Sequence, residues 1–237
     1  MNKHIIFLIN FLFVASFSFS QNTASSLLKS AKEKETAKDY QSAIELCTKA
    51  IEQKADFDSA FCIRGIAFLK LGELKKSLSD LNLAIKLNPK YFDAFLSRGI
   101  VKASRENYFD AVDDLSKAIE LNPSNHKVYY NRAIARAFMS DYSGAIEDLN
   151  KSIELNPNYI EAYYSRGYWQ DISGNYRDAI DDYNKVILLD SKNCEAYIAT
   201  ATAKYIYGEK SAACIDLKKA IEIGSIKAEE LGNIFCK

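Results

Sequence analysis

The sequence predicts an all-α fold, an α-solenoid of six helix-turn-helix repeats closed by one further helix. Three observations carry that expectation. Asn-Pro recurs at Pro89, Pro123 and Pro157, each time 34 residues on. Laid out with that period from Ala24, the chain falls into six ungapped repeats ending at Lys227. Small residues return in phase at position 8 (Ala31, Gly65, Gly99, Ala133, Gly167, Ala201) and position 20 (Ala43, Ser77, Ala111, Ala145, Ala179, Ala213). An ungapped period of this length marks units that bury their apolar faces only by stacking on their neighbours.

The repeats are 24–57, 58–91, 92–125, 126–159, 160–193 and 194–227, and 228–237 begins a seventh. Position 4 carries a large apolar group in each: Leu27, Phe61, Phe95, Tyr129, Tyr163 and Tyr197. With the small residue at position 8 it forms a stripe one helical turn apart, so helix A is expected over positions 1–14. Position 24 (Cys47, Leu81, Leu115, Leu149, Tyr183, Leu217) and the invariant Ile at position 28 place helix B over positions 18–31. Between them, Gly72, Gly174 and Gly208 at position 15 supply the positive φ that a helix end commonly needs. Proline at position 32 ends helix B, because it lacks an N–H and disfavours an α conformation before it. Ala55, Ser191 and Ser225 stand there in the outer repeats, so the array is expected to loosen toward both ends. The segment 228–237 is expected to cap the stack as a solitary helix A.

This pattern resembles the tetratricopeptide repeat family, whose aromatic-4, Gly/Ala-8, Ala-20, aromatic-24, Ala-27 and Pro-32 are met most closely in repeats 2 to 5. The resemblance covers residues 24–227. It implies a right-handed superhelix whose A helices line a concave groove at positions 2, 5, 6, 9, 12 and 13. In that family the groove typically receives a peptide or another protein. The groove positions here read Cys62, Ile66 and Leu69, then Leu96 and Ile100, then Tyr130, Asn131, Ile134 and Phe138. They continue with Tyr164, Tyr168 and Ile172, and with Ile198, Tyr205 and Ile206. Aromatic anchors of this kind are the usual hot spots of interfaces. Asn131 is the best single polar contact, since an amide can offer a peptide backbone both a donor and an acceptor. One subclass of the family grips a C-terminal carboxylate with Lys at position 5 and Asn at position 9. Leu28 and Lys32, then Cys62 and Ile66, occupy those places here, so the resemblance does not extend to that clamp.

A second pattern is charged. Arg64, Arg98, Arg132 and Arg166 occupy position 7, and Asp80, Asp114, Asp148, Asp182 and Asp216 occupy position 23. The last repeat lacks the arginine and carries Lys204 one helical turn along the same face. This covariation predicts an A-to-B ion pair in each repeat. The alternative is a row of arginines that reads acidic ligands.

Five cysteines include no C-x-x-C, so zinc ribbons and thioredoxin-type chemistry lack their motif. Antiparallel stacking places the start of one helix B beside the end of the next helix A, which favours a Cys214–Cys236 disulfide. Cys47 with Cys62 is the second candidate, and burial as small apolar groups is the alternative for all of them. Residues 1–20 have the layout of a signal peptide: Lys3 and His4, the apolar run Ile5–Val14, then small and aromatic residues to Ser20. The run is short for a membrane span. The expected mature protein begins at Gln21 and is exported, periplasmic or secreted, where disulfides persist. An uncleaved anchor is the alternative.

Lys and Arg number 31 against 31 acidic residues, so no basic footprint for nucleic acid is present. His126 is the one histidine outside the leader, too few for the multi-histidine sets of catalytic zinc sites, and is expected as a solvated helix start. The nine glycines form no phosphate loop. No catalytic residue, metal or cofactor is expected. The expected function is non-enzymatic binding of a protein or peptide partner. A self-assembling module is the alternative, followed by a glycan or small-ligand binder that uses the tyrosine-rich repeats.

Overall fold

A computed structural model describes residues 23–236, and the expected signal peptide at 1–20 lies outside them. Among the described residues every regular element is an α-helix. They run α1 (23–36), α2 (Tyr40–Gln53), α3 (Asp58–Lys70), α4 (Leu74–Leu87), α5 (Phe92–Ser104) and α6 (Tyr108–Leu121). Then follow α7 (His126–Phe138), α8 (Tyr142–Leu155), α9 (Ile160–Ile172), α10 (Tyr176–Leu189), α11 (Cys194–Tyr207), α12 (Lys210–Glu222) and α13 (Ile226–Phe235). Two compact bodies divide the chain at Asn122/Pro123. The N-terminal body stacks the hairpins α1/α2, α3/α4 and α5/α6. The C-terminal body stacks α7/α8, α9/α10 and α11/α12, with α13 against the last.

Helix A ends at position 13, except in α11, and helix B starts at position 17, one place earlier than the apolar stripes suggested. The A-to-B turn explains the difference. Position 15 has positive φ in all six repeats: Gly72 (76°), Gly174 (80°) and Gly208 (103°), but also Lys38 (62°), Glu106 (61°) and Ser140 (64°). The following amide closes the turn on a carbonyl five residues back, as in Glu73 N–H to Phe68 O at 2.9 Å and Asp141 N–H to Arg136 O at 3.0 Å. This geometry satisfies orphan carbonyls at the helix end. Position 16 then caps helix B with Asp39, Glu73, Asn107, Asp141, Asn175 or Glu209. Asp141 Oδ1 accepts the Gly144 N–H at 3.0 Å.

At the end of helix B, position 31 is extended in five repeats, with φ from −137° to −147° at Lys54, Asn88, Asn122, Asn156 and Asp190. Lys54 and Asp190 adopt it with no proline after them. Only the sixth differs, ending at Gly224 with φ 101°.

Small-to-large pairing sets the spacing between the helices of each hairpin. A Cβ added to Gly65 would lie 2.9 Å from Leu81 Cγ, and one on Gly99 would lie 2.7 Å from Leu115 Cγ. Leu81, Leu115 and Leu149 are fully buried. The Ser77 hydroxyl at position 20 donates to the Gly65 carbonyl at 2.7 Å across the same close approach. Position 8 is therefore small because position 24 is large. In the C-terminal body Gly167 makes the same room for the ring of Tyr183.

Cys214 and Cys236 are joined by a disulfide that ties the C-cap of α13 to α12, with Cα atoms 5.7 Å apart. The Phe235 ring stacks on Tyr205 at 3.9 Å beside it. Cys47 and Cys62 are free thiols buried in the N-terminal body, so the second candidate pair is not formed. Burial pushes both thiols up to about 12, which keeps them protonated and unreactive. Among the described residues no helix is long and apolar enough to cross a membrane.

Candidate functional site

The charged ladder decides which charges are available to a ligand. Arg64 reaches Asp80 through Nε at 2.7 Å and Nη2 at 2.9 Å. Arg98 meets Asp114 at 2.8 and 2.7 Å, and Arg132 meets Asp148 at 2.8 and 2.6 Å. Arg166 Nε donates to Asp182 at 2.7 Å, and Lys204 takes the arginine's place on Asp216 at 2.8 Å. The four aspartates facing arginine are buried, at 4–5% exposure.

Each guanidinium also lies over the aromatic ring at position 4 of its own helix, 5.5 to 6.0 Å from the centroid. Arg64, Arg98 and Arg166 use their remaining edge on Thr48, Asn82 and Asn150 of the preceding helix B. The hydrogen bond to Asp80 holds the Arg64 guanidinium above its ordinary value. These arginines cross-brace helices and are not presented to an acidic ligand.

Of the groove residues in the N-terminal body, Leu96 and Ile100 lie half-buried on α5. Cys62 is 1% exposed and belongs to the core, so it lines no groove. In the C-terminal body Ile198 is likewise buried, at 4%. Tyr205 lies under Phe235, and α13 removes that ring face from any ligand. The Asn131 amide donates to the Lys127 carbonyl of its own helix at 2.7 Å, which engages one of its two N–H groups.

The remaining residues stand together on the A helices α7 and α9. Tyr130, Ile134 and Tyr164 are half-buried, while Phe138 and Tyr168 are exposed at 59% and 45%. Phe138 and Tyr168 flank Trp169 edge-on, at 6.2 and 4.7 Å between ring centroids, and Tyr142 stacks on the indole at 5.5 Å. The indole is buried, and its Nε1 has no hydrogen-bond partner among the described residues. Ile172 on α9 and Ile206 on α11 are exposed at 48% and 54%. His126 is less exposed than expected. Its Nε2 lies 3.3 Å from the Asn156 amide, and its ring meets Tyr159 edge-on at 4.7 Å.

A cavity of about 340 Å³ opens where α7, α9 and α11 come together in the C-terminal body. Tyr130 comes from α7, Ile160, Glu161, Tyr164 and Ser165 from α9, and Asn193 with Glu195 from the start of α11. Burial, and then the Glu195 carboxylate, raise the Tyr164 phenol above its ordinary value, so it stays neutral. The tyrosines stand among the expected groove residues, whereas neither glutamate does. The available signal was position 2 of the A helix, which reads Glu161 and Glu195 in consecutive repeats, each three residues before position 5. Among the described residues no group of His, Cys, Asp and Glu could hold a metal ion.

Profile comparison identifies tetratricopeptide repeats in the chain: residues 58–91 and 160–193 match the tetratricopeptide repeat model, and 139–171 match a TPR repeat model. No curated protein sequence matches. Among solved structures, the crystal structure of MamA is similar at 26% identity and a TM-score of 0.65, over 70% of this chain and 96% of that one. YrrB, described as a TPR protein with an unusual peptide-binding site, gives 23% identity and 0.65 over 75% and 92%. Pseudomonas aeruginosa pilF gives 16% identity and 0.76 over 90% and 97%, a likeness of fold alone.

Proposed function

Starting from a chain that carries tetratricopeptide repeats, we propose a non-enzymatic interaction scaffold that binds a peptide or partner protein on the A-helix faces of its C-terminal body. One observation carries the reading. Tyr164 lines the cavity, and exposed Tyr168 and Ile172 follow it at successive helical turns of α9, with exposed Phe138 meeting the same Trp169 ring as Tyr168. Exposed apolar surface of that extent beside a concavity is a binding signal. The peptide-binding site named for YrrB agrees with this reading by analogy of fold only. Leu96 and Ile100 offer the N-terminal body a smaller surface of the same kind.

In-cell crosslinking followed by mass spectrometry tests the proposal. Crosslinks to partners should cluster on α7 and α9, and Phe138→Ala with Tyr168→Ala should deplete them. A cluster on the B helices would refute it.

The protein is proposed to act outside the cytoplasm, in a periplasm or as a secreted chain. The leader-like residues 1–20 and the Cys214–Cys236 disulfide both support this. A mature mass beginning at Gln21 is the check.

A specific observation favours a second reading, self-association. Ile215, Ile226 and Ile234 are 66–73% exposed at the C-terminal end. Concentration-independent monomer by light scattering would remove it.

A further inference from the structure

The cavity between α7, α9 and α11 combines apolar and acidic lining residues. Its lining joins the half-buried Tyr130, Tyr164 and Ile160 to two exposed acidic residues, Glu161 and Glu195. Both rings are held by neighbours: Tyr130 packs edge-on to Tyr159 at 5.2 Å, and Tyr164 lies against Tyr183 at 5.5 Å. Among the described residues no cationic side chain lines the cavity. At about 340 Å³ it is near the lower end of ligand sites, the right size for one long side chain with its backbone.

We infer that this cavity is a pocket for a lysine or arginine side chain of the bound peptide, its aliphatic stem between the tyrosines and its cationic head on Glu161 and Glu195. The inference deepens the peptide-binding reading and rests on it. An amphipathic cation is the one side-chain class that matches both parts of the site. Its stem covers apolar lining, tyrosine faces attract the charge, and two carboxylates complete charge-assisted hydrogen bonds. An anionic residue would face two carboxylates with no cation in the lining. A purely aliphatic residue would cover the apolar lining and leave the two carboxylates unmatched. The chain itself supplies a weak precedent. Lys227 holds its ammonium 3.7 Å from the Glu195 carboxylate, with both side chains 63% exposed. That pair is loose enough for a ligand cation to replace it.

The test is affinity selection on the full mature chain with pools of capped hexapeptides, each pool fixed at one position as Lys, Arg, norleucine or Glu. The Lys and Arg pools should bind about tenfold tighter than norleucine, and the Glu pool weakest. Glu161→Gln combined with Glu195→Gln should erase that preference while leaving norleucine binding in place. Both side chains are on the surface, so the double variant keeps the fold, which circular dichroism verifies. Lys227→Ala should tighten the Lys pool by about twofold, since it removes the competing cation. Equal binding of the Lys and norleucine pools would overturn the inference and leave the peptide-binding reading intact. If no pool binds at all, the reading itself fails and the inference falls with it.

Discussion

At the scale of single residues, the ladder and the one described histidine make different kinds of demand. Asp80 is 5% exposed and fully engaged by Arg64, so the pair must be judged by what each half leaves behind. Arg64→Met strands a buried carboxylate and should lower unfolding stability by about 3 kcal/mol. Arg64→Met with Asp80→Leu removes both charges and should recover most of that loss. A denaturant titration of both variants decides the point, and a single variant as stable as the parent would show that pairing is dispensable.

His126 is held neutral by burial first and by Lys127 next, against the pull of Glu161, so its folded value lies below the ordinary 6.5. A group with a depressed cationic pKa favours folding fully above its unfolded value and loses that contribution as pH falls through the folded one. Stability should therefore drop between about pH 7.5 and about pH 5.5 in the parent. The drop should be smaller in His126→Asn, measured by thermal unfolding at the two values.

At the scale of helices and turns, two sequence signals turn out to be one contact and one conformation. The small residue at position 8 exists to admit the large one at position 24. Gly99→Ala should cost about 1–3 kcal/mol, because Leu115 is fully buried and the new Cβ also meets the Ala111 carbonyl at 3.3 Å. The A-to-B turn needs a left-handed residue in every repeat, yet glycine fills it in only three. Ser140→Gly should thus stabilise the hairpin α7/α8 by about 0.5–1 kcal/mol, read as a raised unfolding midpoint. At the end of the chain, the disulfide spans 22 residues and holds the Phe235 ring on Tyr205. Cys236→Ser should raise amide exchange in α13 by an order of magnitude or more while α9 and α10 stay protected.

At the scale of the whole molecule, the period of 34 made the all-α, stacked-hairpin architecture legible in advance. Stacking repeats contact only their neighbours, so the pattern within one repeat carries nearly all the folding information. The Arg-to-Asp spacing of 16 was readable for the same reason, since both partners lie in one hairpin. Burial was less readable. Cys62 and Ile198 sit at groove positions by count, yet they are buried. Tyr205 is covered by a helix that the period could place but not orient.

What the sequence determined by itself is what is local to a hairpin: which positions are small, which are large, and which charges face each other. Tertiary structure alone decided what lies between hairpins. It brought Tyr130, Tyr164 and Glu195 from three A helices onto one cavity, and it left the buried Trp169 indole nitrogen without a partner among the described residues. The physical reason is the range of the interactions. Backbone conformation and the contacts of one hairpin are set by neighbours within a few tens of residues, whereas a cavity is the space left over when several such units pack, and no single repeat encodes its shape.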